Sequence, residues 1–161
     1  MKNFTKKLIN HCINKKLSIS IAESCTGGMI GSKLISIPGA SKVIDCGLIT
    51  YSNLSKELYL SIPKNKILKH GAVSQQIAEL MIMGLRNTIK SDLYISTTGI
   101  AGPDGGSKEK PVGTVYHSFL VLNEKKIITL KKQYKGSRFN IRLNASMFAI
   151  KQSYKILHSL V

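Results

Sequence analysis

Eight consecutive residues, Gly99-Ile100-Ala101-Gly102-Pro103-Asp104-Gly105-Gly106, hold four glycines and a proline and cannot be regular structure. They follow Asp92–Thr98, whose apolar and β-branched residues read as a strand. A glycine loop of this length at a strand's C-terminal end is where α/β proteins bind ligands, and its N–H groups can line an oxyanion or phosphate pocket. Gly99 and Gly102 are therefore candidate binding positions; the alternative is a surface hairpin.

The same strand-then-loop pattern occurs earlier. Phe4, Leu8, Ile9, Cys12 and Ile13 recur at helical spacing, predicting an amphipathic first helix that ends near Lys15-Lys16. Leu17–Ala22 reads as a short strand. Glu23-Ser24-Cys25-Thr26-Gly27-Gly28 then leads into a helix carrying Met29, Ile30, Leu34 and Ile35. Such a turn serves either as an anion site, with Thr26, Gly27 and Gly28 offering N–H groups under the helix dipole, or as a tight turn of small residues. It is neither a Walker loop nor a dinucleotide GxGxxG fingerprint, which disfavours nucleotide hydrolysis.

Ser41 to Lys56 is the stretch where chemistry is expected. Val43–Thr50 reads as a buried strand, and Asn53 is a natural N-cap for a helix through Leu54, Lys56, Leu58 and Leu60. A lysine in a first helical turn faces the positive end of the dipole, so its neutral amine, the form a general base needs, is relatively favoured. Hydroxyls lie on each side of the strand, at Ser41 and Tyr51. A solvated lysine beside ordinary loop hydroxyls is the plainer reading.

Pro63 closes that helix, a short turn runs to His70-Gly71, and Ser74 caps a long helix with Ile77, Leu80, Met81 and Leu85 inward. Val112–Leu122 and Lys126–Tyr134 predict a hairpin turning at Asn123-Glu124. The last helix has Ile141, Ala145, Phe148, Ala149 and Ile156 inward and Arg138 in its first turn, where an arginine is better explained by an anion than by helix stability.

At 161 residues the chain fits one domain, 1–161, able to bury a core without staples. No apolar run approaches the roughly 20 residues needed to span a bilayer, and no signal-type apolar core opens the chain; a cytoplasmic protein without a membrane partner is expected. Cys12, Cys25 and Cys46 are far apart with no histidine at metal-ligand spacing, so they read as reduced thiols, with neither metal nor cofactor expected. Cys25, beside a glycine-rich turn, is a weaker candidate nucleophile. The net charge of +16 suits an anionic ligand. Nucleic acid is disfavoured as that ligand: the lysines are scattered, there is no Trp, and aromatics make up 6% of the chain.

Taken together, Ala22–Gly28, Gly47–Asn53, His70-Gly71-Ala72-Val73-Ser74, Gly99–Gly106 and Pro111-Val112-Gly113-Thr114-Val115 closely resemble the CinA C-terminal domain family, in its stand-alone nicotinamide-nucleotide amidohydrolase form, without an extra N-terminal domain. The resemblance implies an α/β fold, a three-layer α/β/α sandwich on a mixed sheet of about five strands, commonly a homodimer. It also implies hydrolysis of the carboxamide of nicotinamide mononucleotide to nicotinate mononucleotide and ammonia. By correspondence, the nucleophile falls on Ser41, the lysine base on Lys56 and an assisting tyrosine on Tyr51, with substrate contacts at Ser24, Thr98 and Arg138. Ala40 and Ser137 depart from the family pattern. Ser24, which also follows a strand, stays open as an alternative nucleophile, and a catalytically degenerate nucleotide- or nucleic-acid-binding protein stays open as an alternative function.

Overall fold

A computed structural model describes residues 4–122 and 126–159. The expected strands form one five-stranded sheet in the order β2-β1-β3-β4-β5, with β1 Ile19–Glu23, β2 Ile44–Ile49, β3 Leu93–Gly99, β4 Thr114–Val121 and β5 Ile128–Gln133. β1 runs parallel to both β2 and β3, while β3, β4 and β5 alternate antiparallel, so the sheet is mixed. The central strands β1 and β3 are buried along their length except at Gly99, as continuous apolar runs covered on both faces must be.

Three helices cover one face: α1 Phe4–Lys15, α2 Met29–Ile35 and α6 Arg138–Ser159. Their apolar stripes, among them Leu8, Ile9, Ile30, Leu34, Ala149 and Ile150, close on Ile19, Ile21, Leu93, Ile95 and Phe119. The other face carries α3 Asn53–Leu60, α4 Lys64–His70 and α5 Gln75–Thr88, whose Leu60, Ile67, Ile77 and Met81 pack on Ala22, Tyr94 and Leu120. This is the expected three-layer α/β/α architecture. Gly84, inside α5, lets α5 pack directly on the end of α3: a Cβ there would overlap the Leu60 carbonyl oxygen.

Local departures have physical reasons. The N-cap of α3 is Ser52 rather than Asn53, because the Ser52 hydroxyl accepts from the Ser55 N–H at 3.0 Å. Lys64–His70, expected as a turn, is a two-turn helix with one buried apolar residue, Ile67, too little to show as a period. The hairpin strands form, and the turn placed at Asn123-Glu124 lies outside the described residues.

Candidate active site

Chain direction places three segments together. β1, β2 and β3 run parallel, so their C-terminal ends open on the same edge of the sheet. There they deliver Ser24, Thr50-Tyr51 and Thr98-Gly99. The Ala72-Val73 segment before α5 and Arg138 at the start of α6 close the sides. The result is a cavity of about 230 Å³ at the crevice where α/β sheets hold ligands.

Lys56 forms its inner wall. The side chain is 1% exposed and reaches back from α3 under the end of β2. Its Nζ donates to the Thr50 carbonyl at 2.7 Å and the Tyr51 carbonyl at 3.4 Å, and lies 3.1 Å from Ser24 Oγ. Burial pulls its pKa from 10.5 down to about 8, against a small opposing effect of Cys25. Burial likewise pushes the Cys25 thiol up to about 12. Cys25 lines the cavity, and burial disfavours the thiolate that a nucleophile needs.

The bonding of Lys56 has a chemical consequence. An ammonium has three N–H bonds, and three oxygens face this one. Loss of one proton leaves two N–H bonds for the carbonyls and a lone pair directed at Ser24 Oγ. That is the arrangement in which an amine can take the proton of a serine hydroxyl.

Arg138 forms the outer wall. Its guanidinium donates to the Tyr51 hydroxyl at 2.8 Å and to the Gly102 carbonyl. Both partners are neutral, and no carboxylate pairs with it among the described residues. Tyr51 is 61% exposed at the mouth. Thr98 donates its hydroxyl proton to the Ala72 carbonyl at 2.8 Å, tying the end of β3 to the segment before α5. Of the residues named from the sequence, Ser24, Tyr51, Lys56, Thr98, Gly99 and Arg138 thus share one cavity, and Gly102 supports it from behind Arg138.

Ser41 does not join them. It lies exposed in a single 3₁₀ turn, Ala40–Lys42, at the N-terminal end of β2, and borders a separate surface groove with Ile37, Pro38 and Ile44. Lys56 acts at the other end of the same strand. Six strand residues, roughly 20 Å, intervene. A Ser41–Lys56 pair within one chain is therefore corrected to Ser24–Lys56.

The role expected for Thr26, Gly27 and Gly28 also changes. The Glu23 carboxylate accepts from the N–H groups of Gly28, Ile30 and Gly31 at 2.8 to 3.2 Å, so the start of α2 already holds an anion. Thr26 is buried with its hydroxyl 2.8 Å from that of Thr97. Gly28 adopts φ +89°, and a Cβ there would stand 2.9 Å from Ile49 Cδ1. These residues make a tight turn that shapes the site without lining the cavity.

Arg142 carries a role that the sequence reading above does not assign. One turn beyond Arg138 on α6, its Nε donates to the Cys25 carbonyl at 3.1 Å and its Nη2 to the Thr26 carbonyl at 3.0 Å. Two peptide planes immediately after Ser24 are thereby held against α6. A spacing of four between the two arginines, which puts both on one helix face, is the signal that points to it.

The CinA C-terminal domain model matches residues 1–157 of the chain. A CinA-like protein of Fusobacterium nucleatum is 48% identical over 152 residues, covering 92% of this chain and 36% of that protein. A putative competence-damage inducible protein of Clostridium kluyveri is 46% identical over 138 residues, covering 86% and 33%. The chain thus spans about a third of the length of the curated relatives it matches. Among solved structures, a CinA superfamily protein from Klebsiella pneumoniae superposes with a TM-score of 0.91 at 26% identity, covering 97% of this chain and 96% of that one. A competence/damage inducible protein from Agrobacterium tumefaciens gives 0.88 at 34% identity, covering 94% of each. Motifs, sheet order and cavity walls all lie inside the matched span: the chain belongs to the CinA C-terminal domain family.

Proposed function

We infer that the cavity hydrolyses the carboxamide of nicotinamide mononucleotide, releasing ammonia and nicotinate mononucleotide, with Ser24 as nucleophile and Lys56 as general base. One observation carries this reading: a buried amine with a lowered pKa lies 3.1 Å from a serine hydroxyl, its other N–H groups being taken by carbonyls. Burial supplies the neutral amine and the carbonyls orient it.

In the proposed reaction the Ser24 proton passes to Lys56 as Oγ bonds to the carboxamide carbon. Lys56 returns it to the nitrogen as the C–N bond breaks and ammonia leaves. Water, deprotonated by the same amine, then attacks the acyl carbon, and as the C–Oγ bond breaks Lys56 returns that proton to Ser24 Oγ, restoring both groups. The pyridinium charge of the substrate withdraws electrons from the carboxamide and favours attack. Arg138 supplies an unpaired positive charge for the phosphate, and Tyr51 sits beside it at the mouth. The family resemblance names the substrate class, and the charge on Arg138 suits its phosphate.

The test is ammonia release from nicotinamide mononucleotide, measured beside free nicotinamide. The wild-type protein is expected to deamidate the mononucleotide and to leave the free base nearly untouched. Ser24→Ala and Lys56→Met should each lower kcat by at least about 10³-fold. A Ser24→Ala protein that keeps its rate would remove Ser24 as nucleophile.

A further inference from the structure

Along the chain the lysines are scattered, but the fold lines some of them up. Lys132 on β5 holds its ammonium 5.1 Å from the ring of Phe148 on α6. Its neighbour Lys131 lies over Tyr116, on the opposite face of the strand. Nearly one turn beyond Phe148 on α6, Lys151 stands 5.5 Å from the ring of Phe4 on α1, and Lys7 reaches the same ring at 5.9 Å. Lys7 is also 5.8 Å from the ring of Tyr154, which packs on Phe4 with ring centroids 5.9 Å apart. The result is a ridge of ammonium groups over aromatic rings, crossing from β5 over α6 to α1. Lys155 extends it one turn beyond Lys151.

Nothing on the ridge offsets this charge. α1, α6 and β5 contain neither aspartate nor glutamate. Lys7, Lys132 and Lys151 lie against rings and have no carboxylate partner among the described residues. Carboxylates are engaged elsewhere: Glu23 caps α2, Asp45 accepts from Ser91 and Asp92 from Ser18, while Glu57 and Glu79 belong to α3 and α5 in the other helical layer. In a chain of net charge +16, like charges gathered without a counter-charge repel one another, and an anion laid along them relieves that repulsion.

We propose that this ridge docks the phosphate backbone of a nucleic-acid duplex, without regard to base sequence and separately from the deamidase cavity. The rings of Phe4, Phe148 and Tyr154 are half-buried beneath ammonium groups, so they form no open platform for the unpaired bases of a single strand. None of the large apolar side chains that the fold leaves exposed belongs to the ridge, so it has nothing to insert among acyl chains, and a lipid surface is disfavoured. Its cations are lysines, which meet phosphates as point charges and lack the planar fork by which arginine reads a guanine edge. The order of the chain hides the ridge, because β5, α6 and α1 come together only in the fold.

The test is the binding of a fluorescein-labelled DNA duplex of mixed sequence, followed by anisotropy as salt is varied. Phosphate contacts at Lys7, Lys132, Lys151 and Lys155 predict a slope of log K against log salt of about −3.6, at about −0.9 per contact, a loss of about 10²-fold between 50 and 200 mM. Lys151→Gln with Lys155→Gln should weaken binding at least tenfold at 50 mM salt and flatten the slope by about two. Lys64→Gln with Lys66→Gln removes the same charge from exposed positions on α4, in the other layer, and should change affinity less than twofold. Both double variants should keep the wild-type melting temperature, and a single strand of equal length should bind more weakly than the duplex. Absence of duplex binding at 50 mM salt overturns the proposal. Equal losses in the two double variants also overturn it, since they would assign binding to net charge alone. Tighter binding of the single strand rules out the duplex as occupant. Stronger binding to phosphatidylserine-containing vesicles, lost with Lys151 and Lys155, would assign the ridge to a membrane instead.

Discussion

Lys56 is held in the state its proposed chemistry needs mainly by burial, whereas its position in the sequence points to the helix dipole. With a pKa of about 8, roughly a tenth of the amine is neutral at pH 7. Deamidation should therefore rise close to tenfold per pH unit below about 8 and level off above it, measured as kcat/KM on nicotinamide mononucleotide. A profile flat from pH 6 to 9 would show that this amine is not the base. The lysine was legible in the sequence; its partner was left open between Ser41, the first choice, and Ser24. Ser41 is nearer in the chain than Ser24, yet the β2 strand stands between Ser41 and Lys56, and only the parallel pairing of β1 with β2 brings Ser24 to the same end. Glu23 was hidden for a related reason. Its carboxylate loops forward to cap α2, using the very N–H groups that made the turn look like a phosphate site.

Among the elements, α3 carries Lys56 and α5 sets where α3 lies. Glycine inside a helix costs about 1 kcal/mol relative to alanine, so Gly84 is retained against propensity. The reason is the Leu60 carbonyl oxygen, which occupies the place where a Cβ would sit. Gly84→Ala should push α3 off α5 and lower stability by about 2–4 kcal/mol in urea titration, with loss of activity at temperatures where the protein stays folded. Neutral stability for this variant would mean that the helices separate freely. Strands and long helices were legible because their apolar periods are strong. The short α4 and the one-residue difference at the cap of α3 were not: one has a single buried anchor, the other two adjacent residues equally able to cap.

At the scale of the whole molecule, acid lability follows from β4 and its cover. His117 is fully buried between Tyr134 and Phe148, its Nε2 3.0 Å from the Tyr134 hydroxyl and its Nδ1 without a partner among the described residues. Burial, with a smaller contribution from Lys132, lowers its pKa to about 3. Below the ordinary value of 6.5 the unfolded chain takes up a proton that the folded chain refuses, so stability is complete above about pH 6.5 and falls as pH drops toward 3. At pH 4.5 this single group should cost about 2–3 kcal/mol. His117→Gln should remove that share of the loss between pH 7 and 4.5, read by urea denaturation at both values. An unchanged acid limb would assign the loss to other groups.

The lysines on β5 bear on what can be added to the sheet. β5 is the outermost strand on its side. Lys131 and Lys132 stand on it, and any newcomer arriving there would have to strip water from ammonium groups to find backbone partners. Growth of the sheet past that edge is opposed by the charge the strand itself carries.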